Sequence, residues 1–145
     1  MTDAAPIVKS LLEDHARIDA LLSRLANEAQ GEVRPKIETT WDALERALLR
    51  HLDEEEVYLF PELAKERPED AARLASDHAR FRHALGEIGI ALELHAVRSE
   101  VIDALARDLR AHAAQEDVAL YRWAAASEAP GPRAFVSRMQ RRLAA

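Results

Sequence analysis

Asp14-His15-Ala16-Arg17 recurs as Asp77-His78-Ala79-Arg80, and His51-x-x-x-Glu55 recurs as His112-x-x-x-Glu116. The offset between copies is almost the same for both motifs. The chain therefore reads as two tandem helical hairpins, each carrying one lone histidine and one His/Glu pair. Four imidazoles and two carboxylates in that order form the ligand set of a dinuclear metal centre.

Composition supports helices. Ala and Leu supply 48 of the 145 residues, against 4 Gly and 3 Thr, so there is little to build sheets from. The length suits one domain that buries about two thirds of its unfolded surface. A net charge of −6 argues against nucleic acid as a partner. No apolar run approaches the roughly 20 residues of a membrane span. Met1 to Pro6 lacks the basic start and apolar core of a signal peptide, so a cytoplasmic location is expected. With no cysteine, disulfides, thiolate ligands and cysteine nucleophiles are all excluded.

Breaks fall where two hairpins need them. Gly31 to Pro35 divides a first helix, roughly 6–29, from a second, roughly 36–64, which Pro61 should kink or end early. Pro68, Glu69 and Asp70 open a third. Its end lies near His95 to Ser99, with Ser99 as N-cap of the fourth. Glu128-Ala-Pro-Gly-Pro132 ends that helix, and a fifth runs to Leu143.

Each long helix carries an apolar stripe with steps of three and four. The stripes read Leu11, His15, Ile18, Leu22, Leu25; Trp41, Leu44, Leu48, His51, Glu55, Tyr58; Ala71, Leu74, His78, Phe81, Leu85, Ile88, Leu92; and Ile102, Leu105, Leu109, His112, Glu116, Ala119, Trp123. His15 and His51 are nearly equidistant from the middle of the first loop, about 25–29 Å along antiparallel helices. His78 and His112 match about the third loop to within a helical turn, so the six polar groups converge on one layer. The expected fold is all-α, an up-down antiparallel four-helix bundle over 1–128 (internal repeat about 8–64 and 71–126). A short amphipathic helix over 129–145 completes it.

A lone core histidine is ordinarily just hydrogen-bonded. The two carboxylates change that reading, because an unpaired buried carboxylate costs several kcal/mol. His and Glu at i and i+4 share a helical face, as donors to one metal pair must. Imidazole and carboxylate without sulfur suit iron, manganese or zinc, with iron preferred here. A purely structural His/Glu network remains the alternative.

The chain resembles the hemerythrin-like (HHE) domain family over residues of about 8 to 126. The resemblance rests on His15, His51-Leu-Asp-Glu-Glu55-Glu-Val-Tyr58-Leu-Phe-Pro61, Asp77-His78 and His112-x-x-x-Glu116. It implies an up-down four-helix bundle around two non-haem iron ions, bridged by two carboxylates and an oxo or hydroxo group. His15, His51, His78 and His112 would hold the irons and Glu55 and Glu116 would bridge them. Oxygen-carrying members have a fifth histidine four residues after the one matching His78, where this chain has Arg82. His83 falls about 140° round the helix from His78 and points outward. Where carriers end with Asp, this chain has Glu116.

Two histidines per iron leave both metals an exchangeable position. Peroxide chemistry, a catalase-like disproportionation in oxidative-stress defence, is therefore the leading expectation. The alternative is a dioxygen, nitric oxide or iron binding or sensing protein, disfavoured because 145 residues leave no room for an output domain. Tyr58, three residues after Glu55, is the candidate catalytic residue, either an ordinary core tyrosine or a phenolate tuning one iron. Asp14 and Asp77 either orient imidazoles or pair at the surface with Arg17 and Arg80. Glu54 is expected to be solvated, and His95 to end its helix. Arg133, Arg138, Arg141 and Arg142 oppose Phe135, Met139 and Leu143 on a helix that packs on the bundle. A monomer or weak homodimer is expected, with small molecules (hydrogen peroxide, dioxygen or nitric oxide) as the only partners.

Overall fold

A computed structural model describes residues 5–31 and 34–144 of the protein. Its elements are α1 (Ala5–Gly31), α2 (Arg34–Tyr58), α3 (Phe60–Glu66), α4 (Pro68–Glu93) and α5 (Ser99–Glu116). A single π-helical turn, Asp117–Tyr121, leads from α5 into α6 (Arg122–Ala126), and α7 (Pro130–Ala144) follows. No strand occurs among the described residues. None of the described helices is long and apolar enough to cross a membrane.

The sequence punctuation explains most of these ends. Pro61 cannot donate to the carbonyl four residues back, and the second helix is interrupted at Leu59, whose φ is stretched to −115°. A short helix then continues as α3. Pro68 stands in the first turn of α4 with Glu69 and Asp70 beside it, where a missing N–H costs nothing and negative charge meets the helix dipole. The end of α4 has neither Gly nor Pro. His95 supplies the left-handed residue itself, at φ 56°, while Ala96 N–H donates to Ala91 C=O and His95 N–H to Leu92 C=O. That pair of bonds is the Schellman closure, here built on a histidine. Extended Arg98 then serves as N-cap of α5, one residue before the expected Ser99.

α1 packs against α2 and α5, and α4 packs against α2 and α5, so these four helices close a ring. Buried side chains of the ring and of the shorter elements form two apolar clusters. One holds Ile18, Leu22, Trp41, Leu44, Leu48, Phe81, Ile88 and Ile102, among others. The other holds Ile7, Leu11, Leu59, Leu63, Leu74, Leu120, Trp123 and Phe135. In every ring helix the conspicuous His or Glu lies between residues of the two clusters, so a polar layer divides the core.

α7 covers one end of the second cluster, touching α1, α2 and α3. Phe135 and Met139 are buried there, and Arg133, Arg138 and Arg141 face outward. The side chains of Arg142 and Leu143 lie outside the described residues. At the start of α7, Gly131 lies so close to α2 that a Cβ would collide with the Tyr58 carbonyl oxygen. In an unconstrained helix Gly→Ala gains about 0.5–1 kcal/mol. We expect Gly131→Ala to lower the unfolding free energy instead, by at least about 1 kcal/mol, and denaturant titration measures the sign.

Candidate metal centre

Six side chains from four helices meet in the dividing layer. α1 contributes His15, α2 His51 and Glu55, α4 His78, and α5 His112 and Glu116. His51, Glu55, His78, His112 and Glu116 are buried, and His15 is partly so. All six follow from the helical stripes, and the i, i+4 spacing puts each His and Glu pair one above the other. The donor atoms are close. His15 Nε2 stands 3.0 Å from His51 Nε2 and 3.2 Å from Glu116 Oε1. His51 Nε2 and His78 Nε2 lie 3.4 and 3.3 Å from Glu55 Oε1, and His112 Nε2 lies 3.2 Å from Glu116 Oε2.

The outer nitrogens are held from behind. Asp14 Oδ2 lies 3.1 Å from His51 Nδ1, Glu56 Oε2 2.9 Å from His78 Nδ1, and Asp77 Oδ2 2.8 Å from His112 Nδ1. Arginines back two of these carboxylates closely: Arg80 donates to Asp77 at 2.7 Å and Arg82 to Glu56 at 2.6 Å. Arg50 approaches Asp14 at 3.9 Å. An Nδ1–H directed at a carboxylate fixes the tautomer that leaves Nε2 with its lone pair free to ligate. The aspartate of each Asp-His dipeptide thus orients the histidine of the next helix, not its own neighbour. Asp77 does this while also pairing with Arg80, so the two roles considered for it coexist.

Burial raises the question of what neutralises the layer. Desolvation pushes the Glu55 carboxyl up to about 8, with the nearby Glu116 charge adding to the effect and His51 and His78 opposing it. Burial would raise Glu116 too, but the nearby His112, His15 and His78 imidazoles overcome it and hold that carboxyl well below the usual range. Burial tends to lower His78, yet the adjoining carboxylates of Glu116, Glu55 and Glu56 push it up to about 10. Asp77, despite its partial burial, is lowered by the bonds from His112 and Arg80.

Several donors still lack partners. Glu55 Oε1, Glu116 Oε2, His78 Nε2 and His112 Nε2 are buried with no hydrogen bond, each at a cost of about 1–3 kcal/mol in a closed core. They point at one another, as ligands of a shared cation do. The donors fall into two sets whose atoms lie within 4.8 Å of each other: His15, His51, Glu55, Glu116 and Glu55, His78, His112, Glu116. Both carboxylates belong to both sets. This buried cluster fits a metal site.

Tyr58 is not in it. The break at Leu59 ends α2 directly after this residue, and its ring packs on Phe135 of α7 with centroids 5.7 Å apart. The tyrosine that reaches the layer is Tyr121. Its hydroxyl lies 2.8 Å from His15 Nε2, 2.9 Å from Glu55 Oε2 and 3.4 Å from Glu116 Oε1. Only the π turn allows this, because in a regular α-helix Tyr121 would sit about 140° round from Glu116. Burial, and then the charges of Glu55 and Glu116, push its hydroxyl well above the normal phenol range. A signal for Tyr121 existed in the repeat. Glu116 follows Glu55 by the same offset as Tyr121 follows Phe60, so both halves place an aromatic side chain at the same point after the glutamate.

The remaining residues sort simply. Arg82 binds Asp53 and Glu56 and lends no ligand atom to the layer, and among the described residues each set holds two histidines. The His83 side chain is 79% exposed and pairs with Glu87. Glu54, expected in solvent, is buried with Arg50 at 4.0 Å.

A cavity of about 340 Å³ opens between α1 and α5 onto His15, His51, His112 and Glu116. Its walls include Ile18, Leu22, Leu48, Leu52 and Leu109, and Asp19 and Arg110 also line it. These last two form an exposed ion pair of 2.7 Å.

An all-helical protein with a buried His/Glu site open to a small apolar cavity belongs to the class of helical metal proteins. The family model of the hemerythrin HHE cation binding domain matches residues 7–124, and the chain belongs to that family. Nothing among curated proteins or solved structures matches it.

The titrations above have a sign that can be checked. The raised Glu55 carboxyl stabilises the folded chain below about pH 4.5, its ordinary value, and that contribution is lost as pH climbs through about 8. His78 behaves alike between 6.5 and about 10. Metal-stripped protein should therefore melt at progressively lower temperature from pH 7 to pH 10. Glu55→Gln should raise the melting temperature at pH 8 and flatten the slope, as calorimetry in chelator will show.

Proposed function

We propose that this chain is an up-down four-helix bundle holding two iron ions, and that it consumes hydrogen peroxide by disproportionation to water and dioxygen. The observation that carries the proposal is the pair of donor sets sharing Glu55 and Glu116. Two metals bridged by two carboxylates satisfy every orphaned donor in the layer with one arrangement. A single ion would leave two of the four histidines idle.

In this reading His15 and His51 would hold one iron and His78 and His112 the other, with Glu55 and Glu116 shared between them. The iron pair, when bound, supplies Lewis acidity and reversible electron transfer. The protein does the rest. The carboxylates behind His51, His78 and His112 aim each Nε2 inward and raise its basicity. The apolar walls of the cavity admit small uncharged molecules and keep larger reductants out. With two histidines per metal and two shared carboxylates, the protein would leave at least one position short of a full donor set, where peroxide can bind.

The net reaction takes two peroxide molecules to two of water and one of dioxygen, so no external reductant is needed. Iron-loaded protein given hydrogen peroxide should release oxygen steadily at an electrode, and His112→Ala should abolish release. Loaded wild-type protein that keeps two irons and evolves no oxygen would assign the site to binding of dioxygen or nitric oxide instead. Asp77→Asn should weaken iron binding about 10–100-fold without unfolding the chain, because the acceptor behind His112 Nδ1 loses its negative charge and can present an amide N–H instead; competition with a chromophoric chelator measures it.

A further inference from the structure

The two halves of the site differ at one matched position. Glu55 and Phe60 in the first half correspond to Glu116 and Tyr121 in the second. In each half a local break in helical geometry brings the aromatic residue to the layer. In the first it is the interruption at Leu59, after which the Phe60 ring lies 4.7 Å from the His78 ring. In the second it is the π turn, after which the Tyr121 ring lies 5.6 Å from His15. The surroundings match, and the hydroxyl is present on one side only.

That hydroxyl lies on the side of one donor set. Of its three partners Glu55 and Glu116 are common to both sets, and the third, His15, belongs only to the set completed by His51. Opposite it, the aromatic rings beside His78 and His112 are those of Phe60 and Phe81, at 4.7 and 5.0 Å between centroids. A phenyl edge offers no lone pair. One metal position therefore has five protein donors within reach and the other has four.

We propose that Tyr121 is a phenolate ligand of the metal held by His15 and His51, and that Phe60 leaves the His78/His112 position as the open one, where the exogenous ligand binds. This rests on the two-metal reading above. On metal uptake the phenol O–H bond breaks, its proton leaves to solvent, and no electron moves. The repeat would otherwise generate two equal metals. A single oxygen atom makes them unequal.

The test loads full-length protein with iron-57 and reads iron per chain, the visible and resonance Raman spectra, and the Mössbauer spectrum. Two irons, a tyrosinate-to-iron band and two unequal quadrupole doublets are expected for the wild type. The chain has two tyrosines, so Tyr58→Phe should keep the band. Tyr121→Phe should keep two irons, lose the band and bring the doublets together. A band or doublet pair unchanged in Tyr121→Phe overturns the assignment.

If that variant does not load, tyrosinate modes in the resonance Raman spectrum of Tyr58→Phe assign them to Tyr121, and their absence there overturns the proposal. Azide serves as the probe of the open position. Phe60→Tyr should weaken azide binding at least tenfold, and unchanged azide affinity in a Phe60→Tyr protein holding two irons refutes the open-site assignment. Fewer than two irons in the wild type would overturn the two-metal reading itself, and this inference with it. That result is distinct from a spectrum that merely ignores Tyr121.

Discussion

Two carboxylates with no solvent access, Glu55 and Glu116, impose the constraint that organises this molecule. Burying one ionised carboxylate costs several kcal/mol even after the surroundings relax, and two at van der Waals range cost more than the sum. The chain meets that cost with four histidines in the same layer and an outer ring of carboxylates and arginines behind them. None of these groups is an efficient way to fill a core. The helical ring gives up apolar packing across its middle, and its interior is left as two clusters with a polar seam between them. Stability and site therefore compete for the same volume, and a cation is the natural way to settle the seam's charge.

The Asp-His dipeptides show how the seam is kept rigid. His15 and His78 point into the layer, and the aspartates just before them reach across to His51 and His112 on the following helices. Each dipeptide serves two helices. A displacement of α1 against α2, or of α4 against α5, would loosen an inward donor and an outer hydrogen bond together. That coupling links helix packing to the aim of the imidazoles. Arg82 repeats the logic with a different residue: it holds Glu56, which holds His78.

Internal duplication gives such a site for few residue types, but it also imposes a symmetry that chemistry need not want. The two halves diverge where their helices lose regularity, at the Leu59 break and at the Asp117–Tyr121 turn. Both irregularities follow a central glutamate and swing an aromatic ring towards the layer. The same departures open the second cluster to α3, α6 and α7. One of these contacts is the hydrogen bond from Trp123 Nε1 to Glu66, which ties α6 to α3.

Local and periodic physics sufficed for most of the helices and for the layer. Ala and Leu favour helix, Pro and Gly interrupt it, and His and Glu at i and i+4 must share a face. His15, His51, Glu55, His78, His112 and Glu116 were therefore legible as one group before any packing was known. Packing between helices settled what such rules cannot reach. Asp14 and Asp77 acquired their histidine partners only when neighbouring helices came together. Glu54 became buried beside Arg50, and Tyr58 was taken by Phe135 of the C-terminal helix, far along the chain. Tyr121 entered the site through a π turn. Such a turn inserts extra rotation and shifts every later residue to a new face, which a fixed helical period does not encode.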